Sequence, residues 1–210
     1  MLKTKVKASA ITNLTDARYF AAWEVQWLGF NFQEGTADYI DPTTMKAIKE
    51  WVDGVEIIGE FGMHTAEYIK SGIELLDLDG VQVNQFLDHS ELQQLVDVKV
   101  IQEIVIEAGT NAEDIQTLLA MNSQWVNYFL LNFSSNKVEL SAFGDAALAD
   151  ICEEYPVLLS ANINKETIDA VLNDIKPYGI EVKGGEEEKV GYKSFDDLDD
   201  LFEELETFEE

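Results

Sequence analysis

The chain has 210 residues, 46% of them hydrophobic, with 41 acidic against 14 basic side chains and a formal net charge of −27. That balance argues against nucleic acid as a partner, because a phosphate backbone demands a basic surface, and no run reaches the roughly 18 apolar residues of a membrane span. A single cysteine, Cys152, rules out an internal disulfide, and the start MLKTKVKASAIT lacks the apolar stretch of a secretory leader, so a cytoplasmic protein is expected.

From the N-terminus onward, strand-like and helix-like segments alternate. Candidate strands cover residues 5–11, 26–32, 56–61, 80–84, 98–106, 125–133, 157–160 and 180–183. Several are nearly continuous apolar runs (WLGFNF, YFLLNF, YPVLLS), the pattern of parallel strands covered on both faces. The segments between them carry apolar residues at helical spacing and clear start signals. Asp41-Pro42 reads as an N-cap with proline in the first helical position. Asp88 to Glu91 and Thr110 to Glu113 have capping-box spacing. The last segment sets Phe195, Leu198, Leu201, Phe202, Leu205 and Phe208 on one stripe, with acids elsewhere.

Eight strand–helix units predict an α/β fold, a single (β/α)₈ TIM barrel over residues 1–210, closing with an acidic helix at about 195–208. A doubly wound open sheet is the alternative, since periodicity does not count closure.

A series of short motifs adds to this pattern. Lys7-Ala8-Ser9-Ala10-Ile11-Thr12 stands where one enzyme family has Lys-Ile-Cys-Gly-Ile/Leu-Thr, and Leu28-Gly29-Phe30-Asn31-Phe32 is similar to its Gly-Phe-x-Phe second strand. Tyr39-Ile40-Asp41-Pro42, Ile58-Gly59-Glu60-Phe61, Val81-Gln82-Val83-Asn84 and Leu130-Leu131-Asn132 follow in order. Near the end come Leu159-Ser160-Ala161-Asn162-Ile163-Asn164 and Val182-Lys183-Gly184-Gly185. Over nearly its full length the chain resembles phosphoribosylanthranilate isomerase. The resemblance implies a barrel with its site at the C-terminal strand ends. It also implies an Amadori rearrangement in tryptophan biosynthesis, without metal or organic cofactor. In that reaction an acid protonates the ribose ring oxygen, and a base then removes the proton from the adjacent sugar carbon.

The same resemblance shows what has changed. The family's base is the first-strand cysteine, replaced here by Ser9, and its acid is a sixth-strand aspartate, replaced by Asn132. A neutral hydroxyl is a poor base, and a carboxamide cannot transfer a proton at neutral pH. In the substrate-binding positions, Asp38 replaces an arginine and Asn84 a histidine. Glu181 keeps an acidic position, and Lys183, Gly184 and Gly185 remain of the phosphate-binding segment. Ala161-Asn162 replaces two of its glycines, obstructing the backbone approach that phosphate needs. Residues 186–210 add twelve acids and two lysines, a field unfavourable to a substrate with a phosphate and a carboxylate.

Other polar residues stand apart. Gln82 and Asn84 share one face of their strand, and Glu60 and Glu103 interrupt apolar strands, so each needs water, a partner or the barrel mouth. His64 and His89 fall in loops after strands and read as ordinary loop or surface residues without metal-ligand spacing, and Cys152 reads as a small buried hydrophobe in a helix. Three functional readings follow: a weak or inactive homologue kept as a binding, regulatory or assembly protein, with a small phosphorylated or sugar ligand at the barrel mouth; an active enzyme, either the same isomerase with relocated groups or another sugar-phosphate reaction on the same barrel, its groups drawn from Glu60, Glu103, Glu181, Ser9, Lys183, His64 and His89; and a salt-adapted isomerase. Two carboxylates converging beside Ser9 and Asn132, next to a sugar-sized pocket, would favour the second reading.

Overall fold

Eight parallel strands close into a barrel: β1 (Lys5–Ser9), β2 (Trp27–Asn31), β3 (Glu56–Glu60), β4 (Gly80–Asn84), β5 (Lys99–Val105), β6 (Tyr128–Asn132), β7 (Val157–Ser160) and β8 (Gly179–Lys183). The computed structural model describes residues 1–184, 187–189, 192–193 and 195–207, the side chains of 187–193 excepted. Closure is made by β1 pairing with β8, which sets Lys7 opposite Glu181 and Ser9 opposite Lys183. The open-sheet alternative is thereby excluded. Each candidate strand coincides with an observed one, and most of the observed strands are shorter at the ends.

The first strand stops at Ser9 because Ala10 turns into the left-handed region, with φ of 57°. Asn13 then caps α1 (Leu14–Ala22), its side chain accepting a hydrogen bond from the Asp16 amide at 2.9 Å. The outer layer continues with α2 (Pro42–Lys49), α3 (Ala66–Leu76), α4 (His89–Leu92), α5 (Ala112–Asn122), α6 (Leu140–Phe143), α7 (Asp145–Glu154) and α8 (Ile168–Ala170), the last running into a π-helical turn, Val171–Ile175. Asp41 caps α2 and Asp88 caps α4 as expected. The α5 cap differs: Asn111, not Thr110, accepts from the Glu113 amide, while the Thr110 hydroxyl accepts from the Glu107 amide. Both residues can cap, and the loop geometry chooses between them.

Between β8 and the last helix lies a two-stranded antiparallel pair, β9 (Glu187–Lys189) and β10 (Tyr192–Lys193), which the sequence pattern does not reveal. The acidic helix α9 (Asp196–Leu205) packs its apolar stripe against α1: Tyr19 stacks on Phe195 at 4.0 Å between ring centroids and Trp23 on Phe202 at 5.2 Å. Phe208 lies outside the described residues.

Two apolar regions hold the barrel. One fills the space between strands and helices. The other is inside the barrel, where Trp27, Ile58, Ile101, Leu130 and Leu158 form the packed lower layer usual for this fold. Above them the interior turns polar, and the chemistry is there.

Candidate active site

Alternate residues of a strand face the same side, so β1 sends Lys7 and Ser9 inward toward the C-terminal end of the barrel. Lys7 has no exposed surface. Its ammonium donates to Glu60 of β3, to Ser9 Oγ, and to Glu181 Oε2 of β8 at 2.9 Å. An ammonium has three N–H donors, so this set uses all of them. The Ser9 hydroxyl in turn donates to Glu181 Oε2. Gly29, between Lys7 and Glu60 on the intervening strand, makes the pairing possible: a Cβ there would meet Glu60 Oε1 at 2.0 Å.

The ion cluster fixes its own protonation. Burial alone would lower the Lys7 pKa, but the carboxylates of Glu181 and Glu60 outweigh it and hold the lysine above its ordinary value. Burial alone would likewise raise Glu181; the charge of Lys7 and the Ser9 hydrogen bond prevail and hold it below the usual carboxylate range. Ser9 therefore lies between a protonated amine and an ionised carboxylate. Neither the amine, which holds its proton, nor the low-pKa carboxylate turns the hydroxyl into an effective base.

A second group sits across the mouth. Glu103 of β5 receives hydrogen bonds from Asn132 Nδ2 at 2.5 Å and from Gln82 Nε2 at 3.1 Å. Its pKa is raised, first by burial and further by the negative charges of Glu181 and Glu60, against the opposing Asn132 hydrogen bond and Lys7. Asn132 also accepts from the Ser135 amide at 2.9 Å, so its side chain joins the strand end to the following turn. Gln82 Oε1, on a residue only 7% exposed, has no hydrogen-bond partner among the described residues.

The other sequence-derived residues divide clearly. Asn84 is engaged by backbone, donating to Gly62 O and accepting from the Phe86 amide at 2.7 Å, which makes it a clamp between two loops. Asp38 is half-buried in the connection after β2, and Lys183 is exposed at the end of β8. Gly184 is half-buried, while Gly185 lies outside the described residues. His64 stacks on Tyr68 at 4.2 Å, and His89 is exposed and bonds Asn122 at 2.9 Å, so neither is placed in the ion cluster. Cys152 is half-buried against the outer core, and burial pushes its thiol up to about 12. No set of three or more His, Cys, Asp or Glu side chains among the described residues could hold a metal ion.

Lys7 is the residue that sequence reading passed over, treating it only as part of a motif. The available signal was its alternation with Ser9 on one face of a strand whose other face is Val6 and Ala8.

A cavity of about 420 Å³ opens beside the cluster, lined in part by Ser134, Ser160, Asn162, Glu181, Lys183 and Asp197. Its size suits a sugar-like ligand. Asp200 of α9 also lines it, paired with Lys165, so acids of the last helix face the place where the phosphate-binding loops of a barrel of this kind lie.

A family model for N-(5'-phosphoribosyl)anthranilate isomerase matches residues 6–204. The chain belongs to that family. The isomerase of Caldanaerobacter subterraneus is 23% identical over 205 residues, covering 96% of this chain and 97% of its own. That of Gloeothece citriformis is 25% identical, covering 96% and 93% respectively. Among solved structures, the Thermus thermophilus isomerase superposes with a TM-score of 0.77 at 25% identity, over 96% of this chain and 98% of that one. Another, solved in complex with reduced 1-(o-carboxyphenylamino)-1-deoxyribulose 5-phosphate, shares the fold with a TM-score of 0.77 at 21% identity, over 96% and 98% of the two chains.

Proposed function

We propose that this family member performs acid–base isomerisation of a sugar with a relocated pair of groups, Glu103 and Glu181, and that it turns over phosphoribosylanthranilate weakly. The observation that carries this reading is the divergence of two carboxyls in one mouth, one held above the usual range beside Asn132 and one below it beside Ser9. Carboxyls pushed apart in this way are the signature of an acid and a base with separate roles. Glu103, adjacent to the position of the family's aspartate, is the proton donor that opens the sugar ring. Glu181, adjacent to the position of the family's cysteine, accepts the carbon-bound proton. Ser9 and Asn132 become orienting groups.

Weakness toward the family's substrate follows from charge. Lys7 has no donor left for a phosphate, and Asp197 and Asp200 line the cavity beside it. The low basicity that Lys7 imposes on Glu181 favours a second reading, a homologue that binds a ligand without converting it.

Turnover of phosphoribosylanthranilate by purified protein, with Glu103→Gln and Glu181→Gln alongside, separates these readings. A small rate that each variant reduces by roughly 10²–10⁴-fold supports relocated acid–base groups. A rate in the ordinary range of roughly 1–10³ s⁻¹ contradicts the weakness, and a rate unchanged in both variants removes the relocated pair.

A further inference from the structure

Ser160 ends β7 between the two halves of the candidate site. It pairs with Asn132 in the β6–β7 register, and the β7–β8 register, Leu158 with Gly179 and Leu159 with Ile180, carries it alongside Glu181. Leu158, two residues earlier, packs inside the barrel, so the Ser160 side chain points inward as well. Ser9, Lys7 and Asn132 all hydrogen-bond to neighbouring side chains. Ser160 does not. It is only 3% exposed and lines the cavity, and its hydroxyl has no hydrogen-bond partner among the described residues. A hydroxyl so enclosed has lost most of its water, and a ligand in the cavity would supply the missing bond.

The cavity also holds an unpaired cation. Lys7 spends all three N–H groups within the ion cluster, and Lys165 is paired with Asp200. Lys183 lines the cavity without an ion pair among the described residues, two positions beyond Glu181 on the same face of β8. It is near enough for its charge to act on that carboxylate. A single ammonium matches a group with a single negative charge. A phosphate carries roughly 1.5 to 2 charges at neutral pH and three acceptor oxygens, and Asp197 and Asp200 stand on the opposing wall of α9. A carboxylate carries one charge and two oxygens, for which Lys183 and Asn162, both on the cavity wall, have donors. Glu181 Oε1, which neither Lys7 nor Ser9 uses, is an acceptor for a hydroxyl.

We propose that this cavity takes a sugar acid, a polyhydroxylated monocarboxylate without phosphate, with its carboxylate on Lys183 and a hydroxyl on Ser160. The rest of the sugar then lies beside Asn132 and Glu181. This rests on the sugar site at the barrel mouth proposed above and adds the class of sugar.

Ligand-observed NMR titration of the full chain at neutral pH tests it with three probes that differ only at the sixth carbon: D-glucuronate, D-glucose and D-glucose 6-phosphate. Glucuronate is expected to bind roughly 10-fold more tightly than glucose, the span of one charge-assisted hydrogen bond, and more tightly than glucose 6-phosphate. Lys183→Gln should bring glucuronate down to within about twofold of glucose while leaving glucose itself unchanged. Ser160→Ala should weaken both by about threefold or more, the loss of one neutral hydrogen bond, with the circular dichroism spectrum unchanged; should it misfold, Lys183→Gln, at an exposed residue, decides. Glucose 6-phosphate binding as tightly as glucuronate, glucuronate no tighter than glucose, no saturable glucuronate binding, or binding indifferent to Lys183→Gln would each overturn the proposal. Because the readout is binding, an absence of turnover would count against the isomerase reading alone, and phosphoribosylanthranilate turnover that depends on Glu103 and Glu181 would survive a failure here.

Discussion

Asn132 Nδ2 donates to Glu103 Oε1 at 2.5 Å, so a residue that cannot transfer a proton holds, across the β5–β6 seam, one that can. Glu103 titrates above the usual carboxylate range, and Glu181 below it. The two groups bend the stability curve in opposite senses. Folding favours the protonated form of Glu103, so its contribution is complete below the unfolded value of 4.5 and declines as pH rises through the folded value above it. Folding favours ionised Glu181, whose contribution is present above 4.5 and declines as pH falls through the lower folded value. Urea midpoints from about pH 3 to about pH 8 should therefore lose their upper-pH decline in Glu103→Gln and part of their acid decline in Glu181→Gln. Parallel curves for wild type and both variants would contradict the assignment.

Among the described residues, Lys7 is the one counter-ion shared by two buried carboxylates. Lys7→Met leaves them facing each other without a counter-ion, which should cost about 3–5 kcal/mol of unfolding free energy. Adding Glu60→Gln and Glu181→Gln to that variant should recover part of the loss, because the penalty is uncompensated charge. Denaturant unfolding of the single and triple variants gives the comparison.

Ala10 holds φ of 57° directly after Ser9, where the family's opening motif has glycine. A non-glycine residue in that region pays roughly 1–2 kcal/mol, partly offset in glycine by the entropy of its unfolded chain. Ala10→Gly is expected to stabilise the protein by about 0.5–1 kcal/mol, raising Tm by roughly 1–4 °C for a chain of this size. A fall in Tm would mean that the strand end relaxes with alanine at no cost.

Restoring the family's groups should restore its reaction in part. Ser9→Cys with Asn132→Asp is expected to raise turnover of phosphoribosylanthranilate by at least about tenfold over wild type, less than the roughly 10²–10⁴-fold that a well-placed acid or base supplies. Asp38 and the acidic rim stay as they are, so the Michaelis constant should remain high. Steady-state kinetics read both effects.

The charge of −27 predicts self-repulsion that salt relieves. Raising NaCl from about 0.01 M to about 1 M shortens the screening length from roughly 30 Å to roughly 3 Å. Tm should rise over that range, whereas the buried Lys7–Glu181 pair, 2.9 Å apart, should respond little. Thermal scans of wild type and Lys7→Met, with the difference between them nearly constant in salt, would establish both points.

The alternation of apolar strands and capped helices made the barrel legible in the sequence, because parallel strands covered on both faces must be apolar and helix starts must satisfy their free amides. Period-two alternation also showed that Gln82 and Asn84 share one face. The β9–β10 pair was not legible, since two and three residues are too few to set a period. The choice of Asn111 over Thr110 as a cap belonged to loop geometry.

At the site, residue types were readable and relationships were not. From the residues alone came the alternating strand–helix pattern, the likeness to the isomerase family, and the expectation that Ser9 and Asn132 stand where that resemblance implies a thiol and a carboxylate, because these are properties of single positions and local spacing; barrel closure was left open. That Lys7 of β1 pairs with Glu60 and Glu181, 53 and 174 residues away in the chain, came from the folded barrel. So did the placing of Glu103 against Asn132. Ion pairs and proton affinities depend on distance and burial, and barrel closure alone brings these side chains within reach of one another.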